Sequence, residues 1–162
     1  MAIIYCDMDG VLADFKTAAV RTTGMSINKW MNIPSSKEKW SLIKKKKDFW
    51  STLPWMPGGK QLWSYISKHD PHILSAYVEE SFDPNCIPGK TAWLRRNACM
   101  TNRSKINLVR RKEKKLFARK GKPSILIDDY EKNVKEFIAN GGKGIHHTNT
   151  SKTIAELKRL GF

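Results

Sequence analysis

The chain is short of cysteine, of acidic charge and of long apolar runs, and each shortage closes off a class of protein. Its three cysteines, Cys6, Cys86 and Cys99, are odd in number and scattered, with no CxxC pair. Neither a disulfide framework nor a zinc site is expected from such a set. Cys6 lies inside an apolar run and reads as a small buried hydrophobe. No apolar run approaches the roughly 20 residues needed to cross a bilayer, so a membrane partner is not expected. The first residues enter a strand pattern directly, without a charged region followed by a long apolar stretch, so no secretory leader is expected. A cytoplasmic protein is the reading these shortages favour. A hydrophobic fraction of 40% and six tryptophans in 162 residues point to one packed domain rather than a disordered chain.

The shortage of acids leaves a large excess of positive charge. Lys and Arg number 30 against 15 Asp and Glu, a net charge of +15. The cations cluster as KKKK at 44–47, RR at 95–96, RRKEKK at 110–115 and RKGK at 119–122. A single run of this kind is usually a solvated surface. Together the runs form a field that attracts polyanions, which leaves both a nucleotide and a nucleic acid open as partners.

Apolar and helical segments alternate along the chain. AIIYCD, PHILSAY, KINLV, PSILIDD and KGIHHT read as strands. Residues 14–23 read as a helix stopped by Gly24. Further helices are expected at about 58–69, from PGKTAWLRRN, over YEKNVKEFIANGG, and over TSKTIAELKRL with Thr or Ser at its cap. The basic stretch after KINLV also reads as helical. This alternation predicts an α/β fold, a Rossmann-like doubly wound parallel sheet. Residues 25–57 differ in texture, with four of the six tryptophans, three prolines and a capping-box spacing from Ser35 to Glu38. They read as a small helical cap inserted after the first strand, spanning about 16–57, with the core at about 1–15 and 58–162.

In open α/β sheets, ligands bind beyond the carboxyl ends of the strands. Asp7 and Asp9 follow the first strand, Ser75 ends the second, and Asp128 and Asp129 end the strand that starts near 124. A parallel sheet would gather these four carboxylates at one edge, where they would repel one another unless a cation were present. Oxygen-only donors suit Mg²⁺, which binds one or two carboxylates and keeps positions for water and phosphate. A metal beside a phosphate-sized gap suits phosphoryl transfer, with a carboxylate as the nucleophile.

These segments also carry a resemblance. DMDGVLADF resembles the first motif, DxDGxL, of the haloacid dehalogenase (HAD) superfamily of phosphatases. ILSAY is similar to its second motif, GKTAWL supplies the lysine of the third, and ILIDD the paired acids of the fourth. GVLADF, the lysine before AWL and the DD ending are most similar to the 5′(3′)-deoxyribonucleotidase branch. The resemblance implies that Asp7 is the nucleophile. It implies that Asp9 is the acid and base and binds Mg²⁺ through its carbonyl, with Asp7, Asp128 and Asp129 as the other ligands. Lys90 would offset the charge of Asp7 and the phosphate. Backbone N–H groups near Asp9 and Gly10 would hold phosphate oxygens, Ser75 would bond a phosphoryl oxygen, and Ala76 would adjoin the substrate. Phe15 and Trp50 are candidates for stacking on a nucleobase, with packing inside the cap as the alternative for each. The second motif departs from the branch by reading Ser75-Ala76-Tyr77, and the resemblance does not account for the lysine-rich cap.

Three functions follow as expectations. The first is a Mg²⁺-dependent phosphomonoesterase acting on (deoxy)ribonucleoside monophosphates. The second keeps the chemistry and takes the phosphorylated end of a nucleic acid, held through the basic surface. The third is a catalytically silent module that binds nucleic acid.

Overall fold

Short runs rich in Ile, Leu and Val become strands that are apolar on both faces, as strands covered on both sides require. The computed structural model describes residues 2–119 and 121–162, residue 119 through its backbone only, so part of the basic run at 119–122 lies outside the described residues. In chain order the elements are β1 (Ile3–Cys6), α1 (Phe15–Thr23), α2 (Ile27–Met31), α3 (Ser36–Lys44), a 3₁₀ turn Trp50–Thr52, α4 (Gly59–Ser67), β2 (His72–Ala76) and α5 (Cys86–Asn97). A 3₁₀ turn Arg103–Lys105, β3 (Ile106–Val109), a 3₁₀ segment Arg111–Arg119, β4 (Ser124–Asp128), α6 (Glu131–Ala139), β5 (Lys143–His146) and α7 (Thr150–Arg159) complete it.

Among the described residues the strands form one sheet in the order β3-β2-β1-β4-β5, with every adjacent pair parallel. This is the expected Rossmann-like α/β arrangement. The chain steps outward from β1 through β2 and β3, then returns to place β4 on the other side of β1. Ligand crevices form where a sheet's strand order reverses in this way. The register runs from Ile3 opposite Ser124 to Cys6 opposite Ile127, and the Asp7 N–H donates to the Ile127 carbonyl at 3.0 Å. Asp7 is therefore level with Asp128.

The chain divides into two compact units. The first holds Met1–Ala13, Trp55–Ala76 and Asn102–Phe162, and so the whole sheet; the second holds Asp14–Pro54 and Tyr77–Thr101. Residues 77–101, which the sequence pattern grouped with the sheet, thus cluster with the tryptophan-rich insertion. In the first unit, Tyr5 packs edge-on against Phe117 at 5.5 Å and Phe137 at 6.3 Å, beside buried Leu74 and Leu126. In the second, Phe15, Trp30, Trp40, Phe49 and Trp50 form one aromatic cluster. Buried indoles need an acceptor: Trp50 Nε1 donates to Asp83 Oδ2 at 2.8 Å, and Trp93 Nε1 to the Leu53 carbonyl at 2.7 Å.

Local signals set most helix ends. Asp14 caps α1 by accepting from the Thr17 N–H, and Gly24 stops it at φ 69°. Ser35 accepts from the Glu38 N–H at 3.2 Å and caps α3. One expectation needs correction. Asn149, not a Thr or Ser, caps α7, because the Thr150 hydroxyl donates instead to the Gly58 carbonyl at 2.9 Å. The basic stretch after β3 is helical as expected, and its winding is that of a 3₁₀ helix.

Candidate active site

The first unit assembles three carboxylates and one ammonium at the carboxyl edge of its sheet. Asp7 follows β1, Asp128 ends β4 and Asp129 follows it; each offers a carboxylate oxygen, and these oxygens lie within 4.8 Å of one another. Asp7 and Asp128 are buried. Asp7 Oδ1 accepts the Met8 N–H at 2.8 Å and lies 3.2 Å from Lys114 Nζ. The same ammonium donates to Asp128 Oδ2 at 2.7 Å. Asp128 is held further by Asn133 Nδ2 on Oδ2 at 3.1 Å and by the Tyr130 N–H on Oδ1 at 2.9 Å. Asn133 Oδ1 in turn accepts from Arg111 Nη1 at 3.0 Å, and that guanidinium also pairs with Glu136 at 3.2 Å. A continuous polar chain thus runs from Glu136 through Arg111, Asn133 and Asp128 to Lys114 and Asp7.

Electrostatics follow from this crowding. Burial pulls the Lys114 pKa down, but the charges of Asp7 and Asp128 and their hydrogen bonds outweigh it, so the ammonium stays charged with its pKa raised. Burial, followed by the charges of Asp7 and Asp128, pushes the Asp129 carboxyl up to about 7. The Cys6 thiol is pushed well up by burial, Asp7 and Asp128, and it donates to the Asp7 carbonyl at 3.3 Å. Lys114 pairs with two of the carboxylates, and the third acid carries a raised pKa. That surplus of hard oxygen donors fits a divalent ion such as Mg²⁺, which Asp7, Asp128 and Asp129 would hold.

The turn after β1 explains Gly10. The Met8 carbonyl accepts the N–H groups of Val11, Leu12 and Ala13 at 2.8–3.1 Å, folding the chain back sharply. Gly10 adopts φ +82°, and a Cβ there would sit 2.0 Å from Asp129 Oδ2. Its N–H donates to the Ala13 carbonyl at 2.9 Å. The Gly10 amide, one of the N–H groups expected near the phosphate, is thus engaged within the turn, and the missing side chain leaves room for Asp129.

The other expected site residues distribute unevenly. Asp9 lies half-buried in the turn, and its carboxylate is not in the three-acid group. Ser75 is buried near the end of β2, the strand beside β1, and Ala76 is the last residue of that strand. Lys90 is buried on α5 in the second unit, its ammonium 5.3 Å from the centre of the Trp50 ring. Lys114, which the sequence pattern did not single out, supplies an ammonium beside Asp7. Trp50 is 2% exposed and stacks on Phe15 at 5.4 Å, which makes it part of the aromatic core and leaves no open face for a base.

Sequence reasoning passed over Lys114, Arg111, Asn133 and Tyr130. The signal for the first two was a period of three. In a 3₁₀ helix residues i and i+3 eclipse, and Arg111, Lys114 and Phe117 all turn inward, to Asn133, to the acids and to Tyr5.

No family model matches the chain, and no curated protein sequence does. Solved structures do match in fold. A hydrolase from Streptococcus pneumoniae TIGR4 superposes with a TM-score of 0.56 at 11% identity, over 96% of this chain and 97% of that one. A hydrolase from Pseudomonas syringae gives 0.55 at 16% identity, over 99% and 90%. A HAD hydrolase, family IA, variant 3, from Entamoeba histolytica HM-1:IMSS gives 0.50 at 14% identity, over 96% and 89%. With its all-parallel sheet and its acids at the carboxyl edge, the chain shares the Rossmann-like α/β fold of HAD hydrolases.

Proposed function

We propose that the chain is a Mg²⁺-dependent phosphomonoesterase that releases phosphate from (deoxy)ribonucleoside monophosphates through an aspartyl-phosphate, in the manner of a 5′(3′)-deoxyribonucleotidase. The observation that carries the reading is the grouping of Asp7, Asp128 and Asp129 around Lys114 at the carboxyl edge of a parallel sheet. The fold neighbours described as hydrolases and the DMDGVLADF stretch support it. A bound Mg²⁺ would neutralise charge on the transferring phosphoryl group.

Asp7, oriented by the Met8 N–H and by Lys114, is the nucleophile. Its carboxylate oxygen bonds to phosphorus as the bond from phosphorus to the nucleoside oxygen breaks, and Asp9 gives that oxygen its proton. Water then attacks the phosphorus of the aspartyl-phosphate while Asp9 takes a proton from it. Inorganic phosphate leaves and Asp7 is restored. Lys114 balances the charge of Asp7 between turnovers, and Ser75 is placed to bond a phosphoryl oxygen. Asp128, with Asp7 and Asp129, would hold the metal, and it also positions Lys114.

The test is phosphate release from a panel of nucleoside monophosphates, with Mg²⁺, with EDTA and with Asp7→Asn. Release that needs the metal and disappears in the variant is the expected result. No release from any nucleotide or from an aryl phosphate overturns the reading.

A further inference from the structure

The 3₁₀ segment Arg111–Arg119 has two roles divided by its period. Its inward residues Arg111, Lys114 and Phe117 serve the site and the core. Between them, Lys112 is exposed and Lys115 partly exposed. These two are three residues apart, so 3₁₀ geometry places them on one face, separated by one turn or roughly 6 Å. That spacing is close to the step between successive phosphates of an extended strand. The charges are also anchored to the reacting centre, because Lys114 lies between them in the chain and touches Asp7 and Asp128.

A second feature is Tyr130, whose backbone is tied to Asp128. Lys114 bonds Oδ2 and the Tyr130 backbone N–H bonds Oδ1, so both chain segments are tied to the same carboxylate. Tyr130 directly follows Asp129 and is 49% exposed, which is unusual for a large ring beside a buried acid cluster. Its ring meets no other aromatic ring among the described residues. Sites that hold single-stranded nucleic acid combine cations along the backbone with aromatic faces on which bases stack. A free mononucleotide carries only the phosphate that reacts, and so has no further phosphate for Lys112 and Lys115 to hold.

We propose that the preferred substrate is the phosphorylated end of a single nucleic-acid strand: the terminal phosphate reacts at Asp7, the next backbone phosphates run along Lys112 and Lys115, and the terminal base stacks on Tyr130. This rests on the phosphomonoesterase chemistry proposed above and departs from that reading in its substrate, taking a strand end in preference to a free mononucleotide. The reaction is unchanged: the terminal ester's P–O bond breaks, the strand keeps its oxygen and a proton, and phosphate leaves.

The experiment compares kcat/KM for a mononucleotide with that for a short oligonucleotide phosphorylated at its 5′ or its 3′ end, across a salt series. The expected result is at least tenfold preference for one oligonucleotide at low salt, with a steep salt dependence for the oligonucleotide alone. Lys112→Ala with Lys115→Ala should lower the log–log salt slope for the oligonucleotide by roughly 1.4, from about 0.7 per phosphate contact on a single strand. Tyr130→Ala should cut the oligonucleotide-to-mononucleotide ratio roughly tenfold, in line with the measured worth of one stacked base, and Tyr130→Phe should restore it. Equal or better rates on the mononucleotide at every salt overturn this inference and leave the phosphatase reading standing. An unchanged salt slope in the double variant overturns it as well. No phosphate release from either kind of substrate overturns both.

Discussion

Lys114 holds one buried ammonium between Asp7 at 3.2 Å and Asp128 at 2.7 Å. Removing one partner of a buried ion pair leaves the other charge stranded, at a cost of about 3–5 kcal/mol. Lys114→Met is therefore expected to lower the unfolding free energy by about that much in a denaturant titration, and to reduce phosphate release by at least a hundredfold. A melt indistinguishable from wild type would show that the pair is not formed in solution. Asp129 makes a prediction of opposite sign. Its folded-state pKa of about 7 lies above the ordinary carboxylate value, so the folded chain binds a proton that the unfolded chain has already lost. The associated stability is present at low pH and is lost as pH rises towards 7. In metal-free buffer, Asp129→Asn should raise Tm at pH 8, with a gain that shrinks towards pH 5. Added Mg²⁺ should then raise Tm of the wild type at pH 8 and do little for the variant. A gain independent of pH would contradict the raised pKa.

At the scale of elements, the 3₁₀ segment and α6 are joined by Arg111, which bonds Asn133 and Glu136. These groups are partly exposed, so the stability at stake is modest, about 1 kcal/mol. The larger expected effect is on rate. Arg111→Ala should let Asn133 and Asp128 shift, loosen Lys114 and lower kcat several-fold with little change in KM, while Arg111→Lys should recover part of the loss. Equal losses in kcat and stability for both variants would reduce Arg111 to a structural tie. Elements with strong local signals were legible: the strands, the Asp14 and Gly24 boundaries of α1, and the Ser35 cap. The start of α5 was not. The helix was expected to open at Pro88, yet it begins at Cys86, since proline is tolerated in a first helical turn, and Gly89 is there for packing. A Cβ on it would lie 2.5 Å from Trp50 Cβ, so the glycine marks a close approach of helix and aromatic cluster.

For the whole molecule, the charge of +15 is a source of self-repulsion that salt should relieve. Ion pairs such as Lys135–Glu131 and Lys46–Asp48 are exposed and contribute little, and the buried Lys114 pairs are poorly screened. Raising salt from roughly 20 mM to roughly 200 mM shortens the screening length about threefold. Tm should rise over that range. A fall would mean that surface ion pairs outweigh the net repulsion.

The sequence by itself determined the fold class and the acids of the site. A carboxylate that closes an apolar strand is a local pattern, and parallel strands carry such ends to one edge whatever joins them. Asp7, Asp128 and Asp129 were readable for that reason. The tertiary structure alone brought Lys114 to them. In a run as basic as RRKEKK, every cation looks equally solvated until the backbone adopts a period of three and turns Lys114 inward. The same holds for Gly10, whose need for a missing side chain comes from Asp129 on a distant strand, and for residues 77–101, whose grouping with the tryptophan cluster rests on contacts such as Trp50 with Asp83. Each depends on pairing between segments far apart in the chain, and no local pattern records such pairing.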